Sequence, residues 1–273
     1  MKELPHNGPI TTARWPDLVN ELDQWGEAER VATLWWRDDD AVAPSASLDR
    51  LLSIAGSVPV ALAVIPSVAE PELAVWLARL TRSTLASPFV VLQHGWRHAN
   101  HSTAGKKSEF PAERSCEDVV SDLTAGRARL IALFGTDALA VLVPPWNRFD
   151  AGFLPLLSAC GFGAISQVNP RRAAYPVPGV IEVNVHVDLV AWAGDRDFIG
   201  EGAALGSLVG HLRERRRAGV GDDEPTGILT HHLIQNQAID AFLCRLVAVT
   251  GAHAATRWLG ATEVFAPTLL VSA

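Results

Sequence analysis

Short, largely apolar runs, each followed by a stretch with helical spacing, constrain the fold of this chain more than any other feature. The clearest are VPVALAVIP at 58–66, PFVVLQH at 88–94 and LAVLVPP at 139–145. Their apolar residues occupy consecutive positions, and such strands are covered on both faces, as in a parallel sheet. VATLWWR (31–37), FGAISQV (162–168), VIEVNVH (180–186) and GILTHH (227–232) extend the set, with TLLVSA at the end as a further candidate. Helices are expected over 13–29, 46–56, 69–83, 115–135, 150–160, 202–218 and 234–250. Gly56 supplies a helix stop, Pro71 sits in a first turn, and Ser115 and Asp118 have capping-box spacing. Strand, helix, strand, helix with short joints means repeated βα units joined by right-handed crossovers. The expectation is an α/β fold: a single domain over 1–273, built as a distorted or incomplete (β/α)7-type barrel. A doubly wound open sheet is the alternative.

At 48% hydrophobic and 19% charged over 273 residues, the composition is globular and sufficient for a large core. A net charge of −7 offers no basic face to a nucleic-acid backbone. The one basic run, RERRR at 213–217, reads as a solvated helix face. Cys116, Cys160 and Cys244 are few and far apart, which argues against a disulfide framework and fits a reducing compartment. The start, MKELPHNGPITTARW, has no apolar stretch of signal-peptide length, and no window approaches the roughly 18 apolar residues of a membrane span. A cytoplasmic location is expected.

Barrels of this kind carry their chemistry at the carboxyl ends of the strands. The first strand ends WWRDDDA, where Arg37 precedes Asp38, Asp39 and Asp40. Adjacent carboxylates repel one another and call for an offsetting cation, unless they lie in an exposed acidic turn. The third strand ends HGWRHANH. His94 and His98 are four apart, which on a helical turn brings both rings to one ion, with His101 as a third candidate. Two imidazoles and a carboxylate make a metal site with open positions for water and substrate. The strand at 139–145 ends VPPWNRF, where two prolines stiffen the turn and Trp146 offers a flat wall. His186, Asp188 and Trp192 follow the strand at 180–186, and His231 and His232 end the strand at 227–232. Imidazoles titrate near working pH and suit acid or base roles.

These segments, in this order, resemble the polysaccharide deacetylases of carbohydrate esterase family 4, the NodB homology domain. WRDDD resembles the family's T-F-D-D-G, and HGWRH has the spacing of its paired histidines. VPPWN matches R-P-P-[YFW]-G in part, DLVAW loosely matches the fourth motif, and LTH at 229–231 fits L-x-H. The likeness spans about 30–231. It implies a metal-dependent hydrolase that removes an N-acetyl group from a sugar or related small amide, the ion activating water against the carbonyl. The implied metal is divalent, zinc first, with cobalt or nickel also suited, held by Asp39, His94 and His98. Asp38 is then the general base and His231 the general acid. Trp146 and Trp192 line the acetyl pocket, Arg37 and Asn147 are further candidates at the substrate, and a backbone N–H near 146–147 faces the oxyanion. The expected partner is a small-molecule or oligosaccharide substrate, and without an export signal a small or lipid-linked one is favoured over cell-wall polymer. An amidase cleaving a non-sugar C–N bond and a metal-binding barrel without turnover are the competing readings.

Three departures bear on those roles. The family's third-motif arginine, which orients and charges the base, is Val143 here, with Arg37, Arg114 and Arg148 as candidates to replace it. The glycine after the two family aspartates is Asp40, so base and ligand could instead be Asp39 and Asp40. Gly95 stands where the family has Ser or Thr, and a polar insert, STAGKKSEFPAER (102–114), follows the histidines. That insert reads as a solvated loop, with Glu109 and Arg114 as its residues able to reach the site.

Overall fold

The computed structural model describes residues 12–83, 89–218 and 224–266. The expected terminal strand, TLLVSA, lies outside them. The strands are Ala32–Ala41 (β1), Ala61–Val64 (β2), Val90–His94 (β3), Ala138–Val143 (β4), Ala164–Ile165 (β5), Ile181–Glu182 (β6), Val187–Asp188 (β7), Val190–Ala191 (β8), Asp197–Phe198 (β9), Thr226–Thr230 (β10) and Thr256–Trp258 (β11). The helices are Trp15–Glu27 (α1), Ala46–Ala55 (α2), Pro71–Ser83 (α3), Cys116–Phe134 (α4), Leu156–Ala159 (α5), Glu201–Ala218 (α6), Gln237–Ala252 (α7) and Ala261–Val264 (α8).

The main sheet is parallel throughout, in the order β6-β5-β4-β3-β2-β1-β10-β7, with β11 paired to the start of β1. It curls into an incomplete barrel with helices outside, as expected from the alternating pattern. Two expected strands shrink. The runs at 162–168 and 180–186 keep only two paired residues each, and the continuation is a single bridge between Val168 and Val185. β11 is too short and too polar to be visible as a pattern.

The register explains the consecutive apolar positions. Leu34 and Trp36 of β1 pack outward with the leucines of α1, α2, α6 and α7, whereas Trp35 packs inward with Ala61, Ala63, Val141, Val143 and Leu229. Both faces are dry, so both need apolar residues. Continuing the alternation sends Arg37 and Asp39 inward and Asp38 outward.

The basic run on α6 is not the solvated face expected of it. Arg216 grips the buried Glu21 of α1 at 2.7 and 3.1 Å, and Arg213 adds a third contact at 3.4 Å. Arg215 is buried and reaches Thr33 O at 2.9 Å and Thr226 Oγ1 at 3.1 Å. The last turn of α6 faces α1 and the sheet, so its charges tie elements together. Among the described residues no helix is long and apolar enough to cross a membrane, and all three cysteines are free.

Candidate active site

Each site residue follows from where its strand stops. β1 carries Arg37, fully buried, whose guanidinium forks Asp39: Nε to Oδ1 at 2.8 Å and Nη2 to Oδ2 at 3.0 Å. The same group donates to Ser166 Oγ at 2.7 Å and to Asn147 Oδ1 at 2.7 Å. Asp40 follows with a φ of +73°, and the register with β2 shifts between Asp38 and Ala41. This left-handed step breaks the alternation and brings Asp40 to the same end of the barrel as Asp39.

The carboxylate meets the histidines there. Asp40 Oδ1 lies 3.2 Å from His94 Nε2 and 3.4 Å from His98 Nε2. It is Asp40, not the expected Asp39, that the structure brings beside the two imidazoles. Burial pushes the Asp40 carboxyl up, but the close approach of His94, with His231 and His98 nearby, outweighs it and holds it well below its usual range. His94 Nδ1 donates to the carbonyl of Val143 at 3.0 Å, which fixes the ring with its Nε2 toward Asp40. His98 takes a φ of +56° and packs against Trp146, ring centroids 4.3 Å apart. His101 turns to solvent, its backbone N–H on Ser108 O at 2.8 Å, and is not part of the cluster.

The insert after the histidines is not the solvated loop expected of it. Glu109 is fully buried beneath residues 96–99 and accepts the backbone N–H groups of Arg97 at 2.7 Å and Trp96 at 3.1 Å. Burial raises its pKa, and those N–H groups oppose the rise. Gly95 makes this possible: it has a φ of +58°, and a Cβ there would stand 1.9 Å from Glu109 Oε2 and 2.6 Å from Pro145. Replacing Glu109 by glutamine puts an NH2 group against those N–H donors. Metal affinity is expected to fall by roughly 10- to 100-fold, as for the loss of a supporting contact behind a ligand, measured by competition with a chromogenic chelator.

After β4, Trp146 and Asn147 both have left-handed φ, +56° and +54°. The Asn147 N–H is used on Pro144 O at 2.8 Å. At the end of β7, Asp188 accepts the Trp192 indole N–H at 2.6 Å and the Val190 N–H at 3.0 Å. Trp192, 47% exposed, stands edge-on to His231 at 4.6 Å. Burial raises the pKa of Asp188, and the charge of His231 opposes it. Arg37 and Asn147, expected at the substrate, are hydrogen-bonded to each other. Asp38, expected as the base, faces the helix layer and is held by Thr230 and His232.

Asp40 Oδ1 and His231 Nδ1, both buried at this end of the barrel, have no hydrogen-bond partner among the described residues. Orphaned buried groups cost about 1–3 kcal/mol each, so this end of the barrel is shaped for something else to engage them. One carboxylate and two neutral-capable imidazoles, with ligand atoms 3.2–3.4 Å apart, are a borderline-metal donor set. A second group, His186, His211 and Glu224, is equally close-set but does not fit a metal. His186 Nδ1 accepts the Gly227 N–H at 2.9 Å, so its Nε2, which faces Glu224 at 3.4 Å, carries the proton and has no lone pair to give.

No family model matches the sequence, and no curated protein matches it. Solved structures do. A protein from Mycobacterium smegmatis described as a polysaccharide deacetylase is similar at a TM-score of 0.65 and 16% identity, over 97% of this chain and 95% of that one. The fold is that of the carbohydrate esterase family 4 deacetylases. A family 4 acetyl xylan esterase from Clostridium thermocellum, in complex with a cobalt ion, is similar at 0.54 and 14%, over 86% of this chain and 91% of that one. A mutant of a family 4 pseudoenzyme is similar at 0.53 and 13%, over 86% and 67%. The family 4 fold is thus compatible with turnover and with its absence, and function has to be argued from the site. Of the three arginines expected as candidates for the place of the one absent at Val143, Arg37 reaches Asp39, whereas Arg114 pairs with Asp122 at 2.7 Å and Arg148 donates to Lys107 O at 2.8 Å.

Proposed function

We propose that this protein is a metal-dependent deacetylase that hydrolyses the N-acetyl group of a sugar or related small amide. The observation that carries this reading is the meeting of Asp40 with His94 and His98 beside the Arg37–Asp39 pair. Asp40, His94 and His98 would hold a divalent ion, zinc, cobalt or nickel by donor type, which would polarise the acyl carbonyl and acidify water.

The residues of the chain supply the rest. Asp39, oriented by the Arg37 fork, takes the proton of the attacking water. The Trp146 N–H faces the developing oxyanion, since that of Asn147 is already used. His231 gives a proton to the departing amine, which leaves poorly without one. Trp192 and Trp146 flank the position of a small acyl group, and the Asp188 contact keeps the Trp192 indole upright. The similarity to structures described as a polysaccharide deacetylase and an acetyl xylan esterase supports a carbohydrate-borne acetyl group as the target.

The test is acetate release from N-acetylglucosamine oligomers by the metal-loaded chain. Asp39→Asn and His231→Ala are each expected to lose about 10²- to 10⁴-fold in kcat, the usual worth of an acid or base. Acetate release at wild-type rate by either variant would overturn the assignment of that residue.

A further inference from the structure

Asp38 and His232 take no part in the chemistry above, yet they form the most tightly bonded polar pair near it. Both are buried, at 0% and 1% side-chain exposure, on the outer face of the sheet. Asp38 Oδ1 meets His232 Nδ1 at 2.5 Å, and Oδ2 accepts from His232 N at 3.0 Å and from Thr230 Oγ1 at 2.7 Å. Thr230 Oγ1 in turn accepts the Trp36 indole N–H at 2.9 Å. A buried ion pair is a poor device for stability alone, since packed apolar side chains at such positions are often neutral or better. The partners of Asp38 point to another use: Thr230 and His232 are the residues on either side of His231.

We infer that Asp38 is a positioning residue that clamps the two neighbours of His231 from behind the sheet and so holds the proposed acid over the site. The inference rests on the deacetylase reading of His231. Because side chains alternate along β10, Thr230 and His232 can be gripped on the helix side while His231 points to the opposite, catalytic side. β1 carries Asp39 and Asp40 one and two residues beyond the clamp. The carboxylate of Asp38 therefore ties the strand end that bears the base and one proposed metal ligand directly to the strand end that bears the acid. β1 and β10 pair with Asp38 opposite Thr230, so the link spans one register step with no intervening side chain.

The experiment compares Asp38→Ala, Asp38→Asn and Thr230→Val with wild type, as full metal-loaded chains. The readouts are amide hydrogen exchange at His232, bound metal, and kcat and KM for acetate release from N-acetylglucosamine oligomers. In Asp38→Ala, exchange at His232 is expected to rise at least about tenfold. Its kcat is expected to fall about 100-fold, the scale of a roughly 1 Å misplacement. KM stays within about twofold and bound metal is retained, because Asp40, His94 and His98 are untouched. Asp38→Asn keeps an oxygen for Thr230 and for His232 N, and is expected to return kcat to within about tenfold of wild type. Thr230→Val, which removes one of the three bonds, loses about tenfold and carries the test if Asp38→Ala does not fold. Unchanged exchange, unchanged kcat in Asp38→Ala or Thr230→Val, or an Asp38→Asn variant as slow as Asp38→Ala overturns the inference. Wild-type protein without turnover overturns the deacetylase reading instead, before any variant is compared, and exchange at His232 then decides the clamp by itself.

Discussion

His94→Ala protein is expected to bind no stoichiometric divalent metal and to release acetate at least about a thousandfold more slowly than wild type. The magnitude corresponds to several kcal/mol of carbonyl polarisation and water activation supplied by an ion. His94 is the ligand to remove because its geometry is the most committed. The ring is buried, its Nδ1 is spent on Val143 O, and its Nε2 faces Asp40 at 3.2 Å. Elemental analysis of the purified variant beside wild type makes the measurement. Equal metal in both would sink the assignment of the centre. His186→Gln is the control: it removes an imidazole from the other close-set group, and metal content is expected to stay at the wild-type level because that ring has no free lone pair for an ion.

Arg37→Met should damage both stability and turnover. The guanidinium is the fork partner of Asp39 and is itself fully buried with Ser166 and Asn147 around it. Deleting one member of a buried, hydrogen-bonded pair leaves the other charge uncompensated and costs about 3–5 kcal/mol. Denaturant unfolding reads that loss. In the fraction that folds, Asp39 is no longer held in place by the fork, and kcat is expected to fall about 100-fold or more, as for loss of a correctly placed base. Arg37→Lys should not restore it, because an ammonium group cannot make two parallel bonds to one carboxylate while also reaching Asn147. A lysine variant with wild-type kcat would show that charge, not the fork, is what Asp39 needs.

The difference between these positions shows where reading the chain worked and where it stopped. The histidine pair was legible because its spacing is local: two rings four residues apart at a strand end. The helices and the doubly covered strands were legible because hydrophobic period is local too. Asp38, Asp39 and Asp40 were not separable, since three identical side chains in a row carry no mark of direction. The left-handed φ at Asp40, which brings it to the imidazoles, is a backbone event set by the bulge against β2. Glu109 lies 11 residues beyond His98 in a polar stretch that reads as solvent-facing. Its burial under the histidine loop comes from a bend, and the only local hint was a glycine where Ser or Thr was expected.

The sequence by itself determined the alternation of strands and helices, the parallel sheet, and which strand ends would carry polar groups, because each depends on neighbours along the chain. Only the tertiary structure decided that Asp40 meets His94 and His98, that Arg37 pairs with Asp39, and that Asp38 turns away to grip Thr230 and His232. Those outcomes depend on strand register and on the face each side chain takes, and a one-residue step in either moves a carboxylate from the cavity to the helix layer.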